Sequence, residues 1–244
     1  PVTGCTKVSQ GCKHCYAETL NNRFRPGYWG PPATTPRLMM SDAYWQHPIA
    51  WNRKAGDAGE RRRVFCASMA DVFEDHPDVR EPRARLWELI THTPHLDWLL
   101  LTKRPENILD MVPGWAWPAV ARNVWLGTSV ESQMMAYRRI PELLDVAAML
   151  EPPVTFLSCE PLLGPVDLTP WLSPSAISGI DWVIVGGESG PGCRPMKEAW
   201  AEHIVQACVA SQVPVFVKQL GGFPDKRGGD KALIAGQLWH EFPA

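Results

Sequence analysis

The run VWLGTS, residues 124–129, is apolar almost throughout and then ends in Thr128 and Ser129. A strand with one wet face would alternate polar and apolar positions. A near-continuous apolar run is what a strand covered on both faces needs, as in a parallel sheet. Five further runs have this form: VFCAS (64–68), WLLLT (98–102), VTFLSC (154–159), WVIVGG (182–187) and VFVKQ, ending on Gln219. Their starts lie about 26 to 34 residues apart, the length of a strand plus a returning helix. The pattern predicts an α/β chain of the partial (β/α)6 barrel type, with one extra strand implied before Cys5.

The connecting segments support helices. RARLWELITHT (83–93) puts Leu86, Leu89 and Ile90 on one face. PMKEAWAEHIVQACVAS (195–211) repeats Met196, Trp200, Ile204 and Cys208 at period four, with Pro195 in the favoured first turn. Pro141 and the pair Pro152-Pro153 are expected to interrupt or end the segment before VTFLSC. The expected organisation is one domain over residues 1–244. Residues 1–24 form a cysteine loop and first helix, and 25–60 an irregular Pro-, Gly- and Trp-rich excursion with short helical pieces. Residues 61–220 hold the βα repeats, and 221–244 form a loop-and-hairpin tail over a barrel end.

In such folds ligands sit at the C-terminal ends of the strands. Arg61, Arg62 and Arg63 precede a strand, and Trp98, Trp125 and Trp182 begin strands, so these belong at the opposite end. Ser68, Met69, Asp71, Thr102, Lys103, Arg104, Thr128, Ser129 and Glu131 follow strand bodies, as do Cys159, Glu160, Gly187, Glu188, Lys218 and Gln219. They are expected to converge on one mouth.

Composition narrows the function classes. Hydrophobic residues at 45% and charged residues at 20% describe a folded globular chain. A net charge of −2 supplies no global attraction to nucleic acid and argues against a surface that coats long duplex. No apolar run approaches the ~18 residues of a membrane span, and no secretory signal pattern is present. An odd count of seven cysteines then points to a reducing, cytoplasmic setting with metal-bound or free thiols.

Three of those thiols are close together: GCTKVSQGCKHCYAE (4–18) carries Cys5, Cys12 and Cys15 in a Cys-x6-Cys-x2-Cys spacing. Thiolates are soft ligands for zinc or iron–sulfur clusters. A four-iron cluster takes one thiolate per iron, so three cysteines leave one iron open. A structural zinc completed by His14 or a distant cysteine is the alternative. Cys66 and Cys208 read as core packing. Cys159 either packs or, beside Glu160, donates a hydrogen atom. Lys103-Arg104 reads as an anion site or a solvated pair, and Glu188 as a ligand contact or a helix-capping acid.

A three-cysteine loop in a βα barrel resembles the radical S-adenosylmethionine superfamily. The common spacing there is Cys-x3-Cys-x2-Cys, with an aromatic residue often before the last cysteine. This chain has the longer first gap and His14. PVTGC (1–5), GCKHCYAE (11–18), VGGESGPGCRPM (185–196) and the closing WHEFP (239–243) resemble a phage and prophage family related to that superfamily. The resemblance implies that Cys5, Cys12 and Cys15 hold a four-iron four-sulfur (4Fe-4S) cluster. S-adenosylmethionine would bind the open iron and yield a 5′-deoxyadenosyl radical that takes hydrogen from substrate. The superfamily's Gly-Gly-Glu segment is absent, and SMADVFE (68–74) stands in its place, so Ser68, Met69 and Asp71 are the expected substitutes. Ser129 and Glu131 would meet ribose or carboxylate, and Gly186, Gly187 and Glu188 the adenosine. Cys159, Glu160, Lys103 and Lys218 are the expected catalytic groups.

The expected partners are an external electron donor and a small-molecule, nucleotide or single-stranded nucleic-acid substrate, its phosphate held by Lys103, Arg104 and Lys218. A base in duplex would need flipping out to be reached. Two other classes fit the same residues: a non-catalytic binding module stabilised by zinc or a cluster, and metal-assisted hydrolysis at Cys, Asp and Glu groups.

Overall fold

The computed structural model describes residues 1–172 and 179–243. Six strands form one parallel sheet in sequence order: β1 (Arg62–Cys66), β2 (Leu96–Thr102), β3 (Val124–Ser129), β4 (Thr155–Cys159), β5 (Trp182–Gly186) and β6 (Val215–Gln219). These are the six apolar runs. The sheet curls without closing, since β1 and β6 do not pair. The curl is visible at its base, where the Arg63 guanidinium of β1 lies 4.1 Å from the Phe242 ring centroid. Phe242 in turn packs on Phe216 of β6 and Trp182 of β5. The molecule is thus a half-barrel, the open form of the predicted architecture.

Alternation along each strand divides the apolar side chains between two cores. Leu100, Leu126, Leu157, Val183 and Val217 face the helices, against Leu86, Ile140 and Ile204. Leu99, Trp125, Phe156, Trp182 and Ile184 fill the concave side, with Leu101 and Phe216 against them. The concave core depends on one small residue: a Cβ on Gly127 would sit 2.5 Å from the Phe156 ring. Glycine there lets the ring lie flat across β3.

Five longer helices accompany the sheet: α1 (Tyr16–Phe24), α2 (His47–Ala58), α3 (Pro77–Thr91), α4 (Gln133–Leu150) and α5 (Glu198–Ala210). The structure corrects several sequence expectations. Pro141 does not interrupt its segment, because α4 runs through it, and the helix ends at Glu151 in a left-handed conformation before Pro152. Pro195 lies outside α5, whose N-cap is Lys197. Residues 25–60 contain the twelve-residue α2, whose weak periodicity reflects how little of it is buried: Pro48 and Ala55 alone.

The ends of the chain also differ from expectation. In place of a full extra strand, Val2–Thr3 pairs antiparallel with Leu38–Met39, and Gly4 bridges Ala70 in parallel. The tail does form a small hairpin, Leu233–Ile234 with Gln237–Leu238. It then runs antiparallel to β6, where Val217 N donates to the Trp239 carbonyl at 2.7 Å. The tail therefore covers the exposed edge of the sheet, a place where unpaired backbone groups would otherwise invite association. No helix among the described residues is long and apolar enough to cross a membrane.

Gly127→Ala should destabilise the protein by about 1–3 kcal/mol, because the rigid ring cannot move without disturbing its neighbours. Gly114→Ala meets open space and should stay within about 0.5 kcal/mol of the parent. Urea denaturation of the two variants checks the difference.

Candidate functional site

At the C-terminal end of the sheet lies a cavity of about 200 Å³. Its walls come from β-strand ends, including Ser129, Ser158, Glu160 and Lys218, and from the loop carrying Cys5, Cys12 and Cys15. All three thiols line it, and all are partly exposed. The loop enters beside the end of β1, where Gly4 N donates to the Met69 carbonyl at 3.0 Å. It leaves into α1, with Cys15 at the N-cap, where the helix dipole favours negative charge. The Tyr16 hydroxyl then donates to the Ser68 carbonyl across the mouth at 2.9 Å.

Buried ion pairs fasten the loop at three places. At the first, Thr6 N donates to Glu74 Oε1 at 2.8 Å, and Arg104 Nη2 donates to the Thr6 carbonyl at 2.8 Å. Arg37 bonds both Glu74 and the Thr6 hydroxyl, while Arg104 Nη1 pairs with Asp71 at 2.8 Å. At the second, Gly11 N donates to Glu131, whose other oxygen accepts from Arg139 at 2.8 Å. At the third, Glu188 accepts from Arg194 and contacts His14 Nδ1 at 2.9 Å. Arg194 Nη2 also donates to the Gln10 carbonyl at 3.0 Å. Three strand ends thus hold one loop through one device, a carboxylate neutralised by arginine.

The protonation equilibria follow from this geometry. Burial alone would raise the carboxyls of Glu74 and Glu131, yet the guanidinium groups of Arg37 and Arg139 bring both below the ordinary range. Glu188 behaves in the same way: the hydrogen bonds from Arg194 outweigh burial and lower it to about 2. The Cys5 thiol is pushed up to about 12, first by burial and then by Asp71, with Arg104 opposing. Metal binding at Cys5 must therefore displace a proton.

Most residues expected at the mouth do line the cavity: Ser68, Met69, Asp71, Lys103, Ser129, Glu160, Gly187, Glu188 and Lys218. Their surroundings change what several of them can do. Asp71 is occupied by Thr102, the Lys103 backbone and Arg104, so it anchors strand ends. Arg104 lies under the loop with Asp71 and Glu74 and is no open phosphate site. Lys218 and Gln219 both donate to Glu160. Glu188 is a latch on the loop and caps no helix.

Four expected residues stand elsewhere, among them Thr128, which is fully buried and donates to the Thr102 carbonyl at 3.0 Å. Glu131 is 1% exposed beneath the loop and does not line the cavity. Gly186 lies under Glu160, whose Cδ would be 3.1 Å from an added Cβ. Cys159 is fully buried on the helix-facing side of β4, in the core that holds Cys208, and burial raises its thiol well above the ordinary range. Strand alternation explains the error: Ser158 faces the cavity, so its neighbour must face away. Sequence reasoning did not single out Arg37, Glu74, Arg139 or Arg194. Glu74, inside SMADVFE, and Arg194, inside VGGESGPGCRPM, lay in motifs the sequence shows, whereas Arg37 and Arg139 carried no such signal.

Among the described residues no three His, Cys, Asp or Glu side chains come together closely enough to hold a single metal ion. A tetrahedral zinc needs its ligands at one point. A cubane cluster takes one thiolate on each of several irons, so it does not require three thiols to meet at one point.

Glu74→Gln should cost about 3–5 kcal/mol in urea denaturation, because it strands the buried Arg37 charge. The Glu188 carboxyl sits lower in the folded protein than its ordinary 4.5. Its contribution is therefore complete above that value and is lost as pH falls toward about 2. The stability gap between the parent and Glu188→Gln should accordingly shrink over that interval; a constant gap would show that the latch carries no charge.

No curated protein and no solved structure matches the chain. A family model described as "Protein of unknown function (DUF5131)" matches residues 1–243. That match spans the half-barrel, the cysteine loop and the edge-covering tail alike, and the chain belongs to the DUF5131 family.

Proposed function

We propose that the protein is a radical S-adenosylmethionine enzyme in which Cys5, Cys12 and Cys15 hold a 4Fe-4S cluster. One observation carries this reading: the three thiols of a single loop face one cavity at the C-terminal ends of the strands, the place where βα folds bind ligands. Three thiolates on a four-iron cluster would leave one iron without a protein ligand. When bound, the cluster and S-adenosylmethionine would supply one-electron cleavage of a sulfonium and hydrogen-atom abstraction from substrate.

The chain's own residues do the positioning. Glu74 with Arg37 and Arg104, Glu131 with Arg139, and Glu188 with Arg194 keep the loop in one arrangement. Ser68 and Met69 present backbone and side chain at the mouth beside Tyr16, and Gly187 leaves room for the Leu220 backbone, which a Cβ there would strike. Leu101 lines the cavity and packs against the concave core of Phe156 and Ile184, which gives the cavity an apolar floor. Such a floor keeps water from a reactive intermediate. The substrate is a small molecule, a nucleotide or a short single strand, and an external donor supplies the electron. A second cavity of about 120 Å³ beside Trp45 and Trp51 shares Phe65, Ala67, Ser68 and Met69 with the first.

Anaerobic purification followed by iron and sulfide analysis tests the assignment. Four irons per chain are expected, with about one zinc and no iron as the overturning result. Cys12→Ala should lose the cluster, whereas Cys66→Ala, altering a buried core thiol, should retain it. Reduction with S-adenosylmethionine should release 5′-deoxyadenosine.

A further inference from the structure

The charges around the cavity pair off, with one exception. Asp71 and Glu74 meet Arg104 and Arg37, Glu131 meets Arg139, Glu188 meets Arg194, and Glu160 meets Lys218. Lys103 is left over. It follows β2 and lines the cavity together with Ser129. Its Nζ donates to Ser129 Oγ at 3.0 Å, and among the described residues no carboxylate forms a salt bridge with it. Glu131 acts on Lys103 through space but gives its oxygens to Arg139 and Gly11.

A half-buried ammonium has lost part of its hydration and has regained only a hydroxyl, which leaves a counter-charge wanting. We propose that Lys103 and Ser129 form the receptor for an oxyanion, a phosphate or a carboxylate, borne by the molecule that fills this cavity. Lysine binds such a group as a point charge, and the serine hydroxyl adds a directed donor. Arg104, its neighbour in sequence, is spent on Asp71 and Glu74, and Lys218 on Glu160. With Lys7 paired to Glu18, the assignment singles out one of the four Lys and Arg side chains that line the cavity.

The inference rests on the charge balance of the cavity and stands whether or not the thiols hold a cluster. Failure of the iron analysis would leave it intact, and its own failure would leave the cluster assignment intact. Two ligand pairs, each differing by one oxyanion, separate the sources of the group. The first is adenosine 5′-monophosphate against adenosine. The second is S-adenosylmethionine against its decarboxylated analogue. Calorimetric titration of the full chain should show a preference of about ten-fold or more for the anionic member of at least one pair. Preference in the first pair assigns the receptor to a phosphate, and preference in the second to an amino-acid carboxylate. Lys103→Met should abolish that preference and Lys103→Arg should keep it, with unchanged unfolding midpoints showing that both variants fold. No preference in either pair, or a preference that survives Lys103→Met, would overturn the proposal.

Discussion

Everything at the mouth of the half-barrel depends on a buried network in which Glu74 and Asp71 face Arg37 and Arg104. Arg37 and Glu74 are almost wholly removed from solvent, with side chains 0% and 2% exposed. An ion pair so placed is poor evidence of net stabilisation, because desolvation consumes most of the attraction. Its value is geometric. Neither charge tolerates a displaced partner, so the chain from Thr6 to Gly30 can take up only the arrangement that satisfies both. The cysteine loop inherits that definition.

The same economy governs the other strand ends. Glu131 and Glu188 each answer an arginine from their own connecting segment and use a remaining bond to hold the loop. The barrel scaffold is rigid because its two cores are apolar and tightly packed, and the loop is rigid because charged groups tie it to that scaffold. Any molecule bound at such a loop would meet side chains already ordered, so little of the binding energy would be spent on folding.

Much of the fold was legible before any coordinates. Runs such as VWLGTS and WVIVGG are too apolar for a half-wet strand, and their regular spacing leaves room for one helix each. The gathering of Ser129, Glu160 and Lys218 at one end followed from strand polarity alone. Alternation within the last strand residues was less legible. Cys159 and Ser158 are adjacent, and only the register of β4 against β3 and β5 decides which of them enters the cavity. Likewise Pro141 is an interruption on propensity but sits inside α4, since tertiary packing of Ile140 and Leu143 overrides the loss of one backbone hydrogen bond.

By itself the sequence determined the parallel sheet, the end of it that carries the cavity, and three thiols in one loop, because apolar periodicity and cysteine spacing are local properties. The tertiary structure alone decided which charges are free. Arg104, Lys218, Glu188 and Lys103 look equivalent along the chain, each a charged residue after a strand. Most of their partners come from distant segments, Arg104 reaching back to Thr6 and Lys218 to Glu160, while Glu188 adds His14 to its nearby Arg194. Pairing over such separations is a property of the folded surface, where a charge is neutralised by whatever the fold brings beside it.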